Sequence, residues 1–172
     1  MLWQNGFSGT LPQGLGELSD LTDFRIWTND FTGPFPECVL KLTNLTILML
    51  SSNNFTGPVP DTITELSHLT QVYLDNNHFT GLLPSDYSNW KSVEKFSVFA
   101  NEFHGTIPYS ISSMSNLTSL DFSANKFTGT IPDFFQSFQR LELFLGHNNM
   151  FTGTVPESIG SVGMKDFRDN KM

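Results

Sequence analysis

The 172-residue chain predicts an α/β solenoid, a stack of short repeated coils that each contribute a strand and a helical turn. Three observations carry that prediction. Asn-x-Phe-x-Gly occurs seven times, with Asn5, Asn29, Asn53, Asn77, Asn101, Asn125 and Asn149 spaced 24 residues apart. A fixed period of that size is the signature of a repeat architecture. Upstream stands a Leu-x-x-Leu-x-Leu pattern: Leu45, Leu48, Leu50 before Asn53; Leu69, Val72, Leu74 before Asn77; Leu117, Leu120, Phe122 before Asn125. Three residues after each motif Gly comes Pro12, Pro36, Pro60, Pro84, Pro108, Pro132 or Pro156, seven of the nine prolines in the chain.

Each element follows from its spacing. The Leu-x-Leu core has period 2 and reads as one short strand. Between Pro and the next strand, Leu15, Leu18, Leu21 and Ile63, Leu66, Leu69 fall three apart, the spacing of a helical or 3₁₀ turn that packs one face inward. One repeat cannot bury its own apolar face, so neighbours must stack. The Phe column, from Phe7 through Phe31 and Phe55 to Phe151, predicts a continuous buried spine that accounts for much of the total of 17 Phe. The Asn column sits where the chain leaves the strand, and its amides can satisfy interior backbone groups. Gly allows close backbone approach, and Pro closes the segment without a ladder donor.

These motifs resemble the leucine-rich repeat in its 24-residue plant-type form, L-x-x-L-x-L-x-x-N-x-F-x-G-x-I-P, over almost the whole chain. The resemblance implies a right-handed superhelix with a parallel sheet on its concave side and short helical or 3₁₀ turns on its convex side. It also implies a second, shorter strand in the Gly-x-Ile-Pro segment. Receptor-like kinase ectodomains and polygalacturonase-inhibiting proteins are relatives of this type, which implies an extracellular or cell-surface setting. The sequons at Asn44, Asn54 and Asn116 are candidate N-glycosylation sites in keeping with it.

Residues 1–172 read as a single array of seven motifs and a degenerate eighth. In the seventh, Leu143 and Leu145 are expected to point inward with His147 bulged, because an inward Gly146 would bury nothing. In the eighth, Val162, Phe167 and Asn170 match if about three residues are deleted after Ile159. Both ends fall mid-repeat with neither caps nor a signal peptide visible, so the expectation is a segment of a longer array. Cys38, the single cysteine, is expected to be a lone packed or half-exposed thiol, and no internal disulfide can form.

Composition narrows the function. Nine Lys and Arg against 17 Asp and Glu give a net charge of −8, which argues against nucleic acid and anionic membranes. No apolar run approaches the ~20 residues of a membrane span. Within each strand the residues between the apolar ones face the concave side. That places Arg25, Trp27, Met49, Tyr73 and Phe99 on adjacent rungs, with Asp75 and Asp121 at the edge of the patch. Aromatics beside Arg on an exposed face have the composition of a binding hot spot. These seven residues are the candidate site for a protein, peptide or glycan ligand.

Catalysis is not expected. His147 and Asp75 share a column three rungs apart, roughly 14 Å, whereas a base and its orienting acid must approach within about 3 Å. Asp75 and Asp121 lie beyond ~10 Å, long for a glycosidase pair. His68, His78 and His104 occupy three different repeat positions and cannot converge on a metal, and no cofactor motif occurs. Two other readings are a structural spacer within a longer solenoid, and ice binding through Thr56, Thr80, Thr106, Thr128, Thr130, Thr152 and Thr154. Pro34, Pro58, Leu82 and His104 interrupt those Thr rows.

Overall fold

The computed structural model describes residues 2–172. The chain winds into a right-handed solenoid with two seven-stranded parallel sheets along its length. The concave sheet is built from Asp23–Arg25, Ile47–Met49, Gln71–Tyr73, Lys95–Ser97, Ser119–Asp121, Leu143–Leu145 and Met164–Asp166. Successive strands pair without slippage, as in Phe24↔Leu48, Leu48↔Val72, Val72↔Phe96, Phe96↔Leu120 and Leu120↔Phe144. These middle residues all point inward and are buried, because consecutive side chains on a strand leave opposite faces.

The second sheet lies earlier in the repeat than the Gly-x-Ile-Pro segment expected to form it. Its strands, such as Asp30–Pro34 and Asn54–Pro58, run through the Phe and Gly columns. The repeat Pro stands beyond them and starts the next element instead. Pro12, Pro36, Pro60, Pro108 and Pro156 precede 3₁₀ helices, and their carbonyls accept the first turn's hydrogen bond from Leu15, Val39, Ile63, Ile111 and Ile159. Proline's fixed φ suits that entry, and its missing N–H costs nothing there. Every helix among the described residues is a 3₁₀ turn of three to five residues, so none is long or apolar enough to cross a membrane. The glycine column takes positive φ. At Gly105 (φ 80°) a Cβ would also lie 2.5 Å from the Leu82 side chain.

The coil of residues 82–93 departs from its neighbours. Tyr87 and Trp90 take the inward places held one coil earlier by Ile63 and Leu66, and both are buried. Their rings pack at 5.3 Å, Trp90 meets Phe96 edge-on at 5.4 Å, and no 3₁₀ helix forms over this stretch. Two large rings fill the space that a regular turn fills elsewhere. Asp86 instead organises the loop, accepting from the Ser88 N–H and hydroxyl.

The Phe spine is present and buried from Phe31 to Phe151, while Phe7 at its start is exposed. Consecutive rings from Phe7 to Phe151 stack with centroids 6.0–6.4 Å apart and planes within 27°. Beside it runs the Asn ladder. Asn77 accepts from the Phe55 N–H at 3.0 Å and donates to the Leu50 and Leu74 carbonyls at 3.0 and 3.1 Å. Asn53, Asn101, Asn125 and Asn149 repeat the arrangement, each tying its coil to the one before. The degenerate eighth motif obeys it too, since Asn170 accepts from the Phe151 N–H and donates to the Gly146 carbonyl. The residue before each Asn must turn through positive φ, 51–57° at Gln4, Thr28, Ser52, Asn76, Ala100, Ala124, Asn148 and Asp169.

The expected register of the seventh motif is wrong. Phe144 points inward and is fully buried, while Leu143 and Leu145 face the concave side half-buried. Gly146 takes the next inward place, and the rings of Phe144, Phe151 and Phe167 close around it, within 3.5 Å of where a Cβ would lie. An inward glycine costs little here because aromatic neighbours supply the missing volume. In the last coil Lys165 occupies the corresponding inward column and donates to the Ile159, Gly160 and Val162 carbonyls at 3.2–3.3 Å. Cys38 lies in the core, and burial pushes its thiol pKa up.

Two stability predictions follow from this geometry. Asn77→Ala strips the buried Phe55 N–H of its acceptor and should cost about 2–3 kcal/mol. Exposed Asn54→Ala should change stability by less than about 0.5 kcal/mol. Urea midpoints with unchanged slopes decide this; equal effects at the two positions would refute the ladder's role. Thr28 is a β-branched residue held at φ 54°. Thr28→Asn, the residue found at the equivalent places 76 and 148, should therefore raise stability by about 1 kcal/mol.

Candidate functional site: the concave face

Alternation along the strands puts two columns on the concave surface, four and two residues before each ladder Asn. The first contains Arg25, Met49, Tyr73, Ser97, Asp121 and Leu145; the second contains Trp27, Ser51, Asp75, Phe99, Ser123 and His147. A shallow depression on this face is lined by Trp27, Met49, Tyr73, Asp75, Phe99 and Asp121, together with Thr28, Ser51, Ser52 and Ser97. Six of the seven candidate residues therefore meet in one place, each half-buried. Arg25 does not. Its Nε donates to Asp23 at 2.7 Å, outside the depression.

The floor depends on small residues that the hydrophobic pattern did not single out. Ser97 and Ser123 are buried, so the larger side chains on neighbouring rungs close over them. Asp121 accepts from both the Ser123 N–H and its hydroxyl. Asp75 accepts from the Ser51 hydroxyl at 2.8 Å and the Asn76 amide at 3.0 Å. Trp27 is backed by Trp3, the rings stacked at 6.1 Å and 11°. Leu143 and Leu145 extend the apolar surface toward the last coil. They could have been found from spacing, since Leu141 and Phe144 stand eight and five residues before Asn149, as Leu45 and Leu48 do before Asn53.

Electrostatics divide the aspartates of this face. Asp23 and Asp166 are each paired with the arginine two residues on, Arg25 and Arg168. Arg168 holds the Asp166 carboxyl down at about 2. Among the described residues, neither Asp75 nor Asp121 pairs with a Lys or Arg. Burial raises the Asp121 pKa, Ser123 and His147 oppose that rise, and the Asp75 charge adds to it. Burial, and then the Asp75 charge, likewise raise the Tyr73 phenol.

The remaining candidates lie elsewhere. Asn44, Asn54 and Asn116 are exposed and none lines the depression. The amides of Asn44 and Asn116 donate to the Ser19 and Lys91 carbonyls of preceding coils at 2.9 Å. In the Thr rows, the Thr56 and Thr128 hydroxyls are turned to the Gly33 and Gly105 carbonyls at 3.3 Å. Among the described residues, no three His, Cys, Asp or Glu side chains come together as a metal site.

A raised folded-state carboxyl pKa means that ionised Asp121 opposes folding above that pKa, and the opposition disappears as pH falls below it. Asp121→Asn should therefore raise Tm at pH 7, and the gain should shrink toward zero as pH is lowered through the carboxylate range. Thermal melts across pH check this; a lower Tm at pH 7 would contradict it.

Comparison with known proteins identifies the family. The leucine rich repeat family matches residues 19–79 and 116–138. No curated protein sequence matches the chain. Among solved structures, the leucine-rich-repeat ectodomain of the plant membrane receptor kinase GASSHO1/SCHENGEN3 from Arabidopsis thaliana, in complex with CASPARIAN STRIP INTEGRITY FACTOR 2, is 33% identical. It superposes with a TM-score of 0.94 over 97% of this chain and 20% of its own. The ectodomain of the Arabidopsis receptor kinase HAESA, in complex with an N-terminally extended IDA peptide hormone ligand, is 31% identical, with a TM-score of 0.92 over 96% of this chain and 28% of its own. The chain thus spans less than a third of either ectodomain. Pollen Receptor Kinase 3 is 32% identical, with a TM-score of 0.78 over 88% of this chain and 74% of its own. The chain belongs to the leucine-rich-repeat family, in its plant-type 24-residue form.

Proposed function

We propose that this chain is a non-catalytic recognition module that binds an extended peptide, or a peptide segment of a larger protein, along its concave face. The observation that carries the reading is the aromatic depression in which Trp27, Met49, Tyr73 and Phe99 meet on four adjacent coils. Rigid aromatic side chains give up little conformational entropy on binding and offer large contact areas. Serines and aspartates around them provide the hydrogen-bonding rim typical of an interface. A strand-like peptide laid across the rungs would meet one coil about every 4.8 Å, roughly one and a half of its own ~3.3 Å residue steps. Peptide-bound ectodomains of the same repeat type support the choice of ligand.

The setting is extracellular, as part of a receptor-like or inhibitor protein. The receptor ectodomains the chain resembles and the three exposed sequons, all away from the depression, support that reading. Catalysis has no support in the geometry, since Asp75, Asp121 and His147 stand on separate coils and are held by local partners.

The test is a peptide-display selection on the folded chain, followed by affinity measurement with the double variant Trp27→Ala/Tyr73→Ala. Loss of two aromatic anchors should weaken binding about 100-fold or more while the melting curve stays close to wild type. Unchanged affinity in a folded double variant would refute the concave-face assignment.

A further inference from the structure

Phe99 stands between two carboxylates. Asp75 precedes it by one coil in the same column, and Ser123 follows it by one coil with Asp121 folded over it through two hydrogen bonds. In the other column, Tyr73 and Asp121 lie on either side of buried Ser97, which pairs with both strands. The result is a notch over Ser97, walled by Tyr73, Asp75, Phe99 and Asp121, within the larger depression.

The charges on this notch are unusual for the face that holds it. Its other aspartates, Asp23 and Asp166, carry their own arginines two residues on, at 2.7 and 2.6 Å. Asp75 and Asp121 have only neutral donors, from Ser51, Asn76 and Ser123, with His147 the one titratable group that favours ionised Asp121. The Asp75 charge also opposes ionisation of Asp121. Two carboxylates that pair with no Lys or Arg among the described residues, with aromatic rings between them, form a site complementary to a cation.

Resting on the peptide-binding reading above, we infer that the notch over Ser97 takes a cationic side chain, Lys or Arg, of the bound peptide. The ammonium or guanidinium lies against the Phe99 and Tyr73 rings, donates to one of the two carboxylates and is attracted by the charge of the other. Ring faces attract cations, and a cation that donates to a carboxylate makes a charge-assisted hydrogen bond. The aromatic remainder of the depression, centred on Trp27 and Met49, takes an apolar residue a few positions away on the same peptide. Specificity is thereby divided: Trp27 and Met49 supply affinity for any apolar segment, and the notch selects for charge.

The experiment uses the full chain and a random dodecapeptide display library. Retained peptides should be enriched in Lys or Arg. A selected peptide should bind about tenfold or more tightly than its analogue with Gln at the basic position. That preference should fall below about twofold in Asp75→Asn/Asp121→Asn. Raising the salt concentration should weaken only the basic peptide. Retention through Trp27 and Tyr73 with no basic preference, or a preference that survives the double Asn variant, would overturn the notch and leave the concave-face reading intact. No retained peptide at all would overturn both, as would concentration-dependent self-association in sedimentation that Trp27→Ala abolishes, since a second copy would then be the occupant.

Discussion

The structure depends on a bond that closes across each coil boundary. From Asn29 to Asn149 each ladder Asn accepts from a Phe N–H 22 residues earlier and donates to a carbonyl 27 residues earlier, as at Asn77 with Phe55 and Leu50. Those backbone groups lie inside the turn, away from water, where an unpaired N–H is costly. The same amide also bonds its own strand three residues back, so one side chain fixes both the turn and its distance to the previous coil. The price is backbone strain at the preceding residue, which turns through positive φ in every repeat, even where it is Thr28, Ala100 or Ala124. Ring stacking then follows the pitch, with Phe centroids 6.0–6.4 Å apart in an unbroken column.

Constant pitch is also what makes a recognition face. Because the strands pair with no slippage, residues 24 apart line up as columns, and a side chain's neighbours on the surface are set by arithmetic. Core positions repeat Leu, Ile, Val or Phe in nearly every coil, with Gly146 and Lys165 the departures toward the last coils. Concave positions carry no such demand and vary freely from coil to coil. Trp27, Met49, Tyr73, Asp75, Phe99 and Asp121 fill them here. The scaffold's regularity and the site's irregularity are two consequences of the same period.

That division explains how much could be seen in advance. The spine, the Asn ladder and the concave position of all seven candidate residues follow from spacing alone, since the energetic requirement at each is local and repeats. Spacing misassigns the seventh motif because an inward glycine looks empty when read one position at a time. Its volume comes from Phe144, Phe151 and Phe167, which are distant in sequence but adjacent in the core. The second strand lies earlier than expected because proline at Pro36 or Pro60 serves a 3₁₀ entry rather than a sheet edge. Within the site, burial of Ser97 and Ser123 and the separation of Arg25 from the depression depend on side-chain packing across rungs. Spacing defines the columns but not which neighbours close over them.

The chain's three tryptophans test the concave-face claim most directly. Trp27 lines the depression and Trp3 stacks on it, while Trp90 is buried in the core among Tyr87 and Phe96. In ¹⁵N-labelled protein titrated with a retained peptide, the Trp27 indole N–H resonance should move most, with a smaller shift at Trp3. The Trp90 resonance should stay in place. A saturating titration that leaves Trp27 unmoved, or that moves Trp90 alone, would contradict the account.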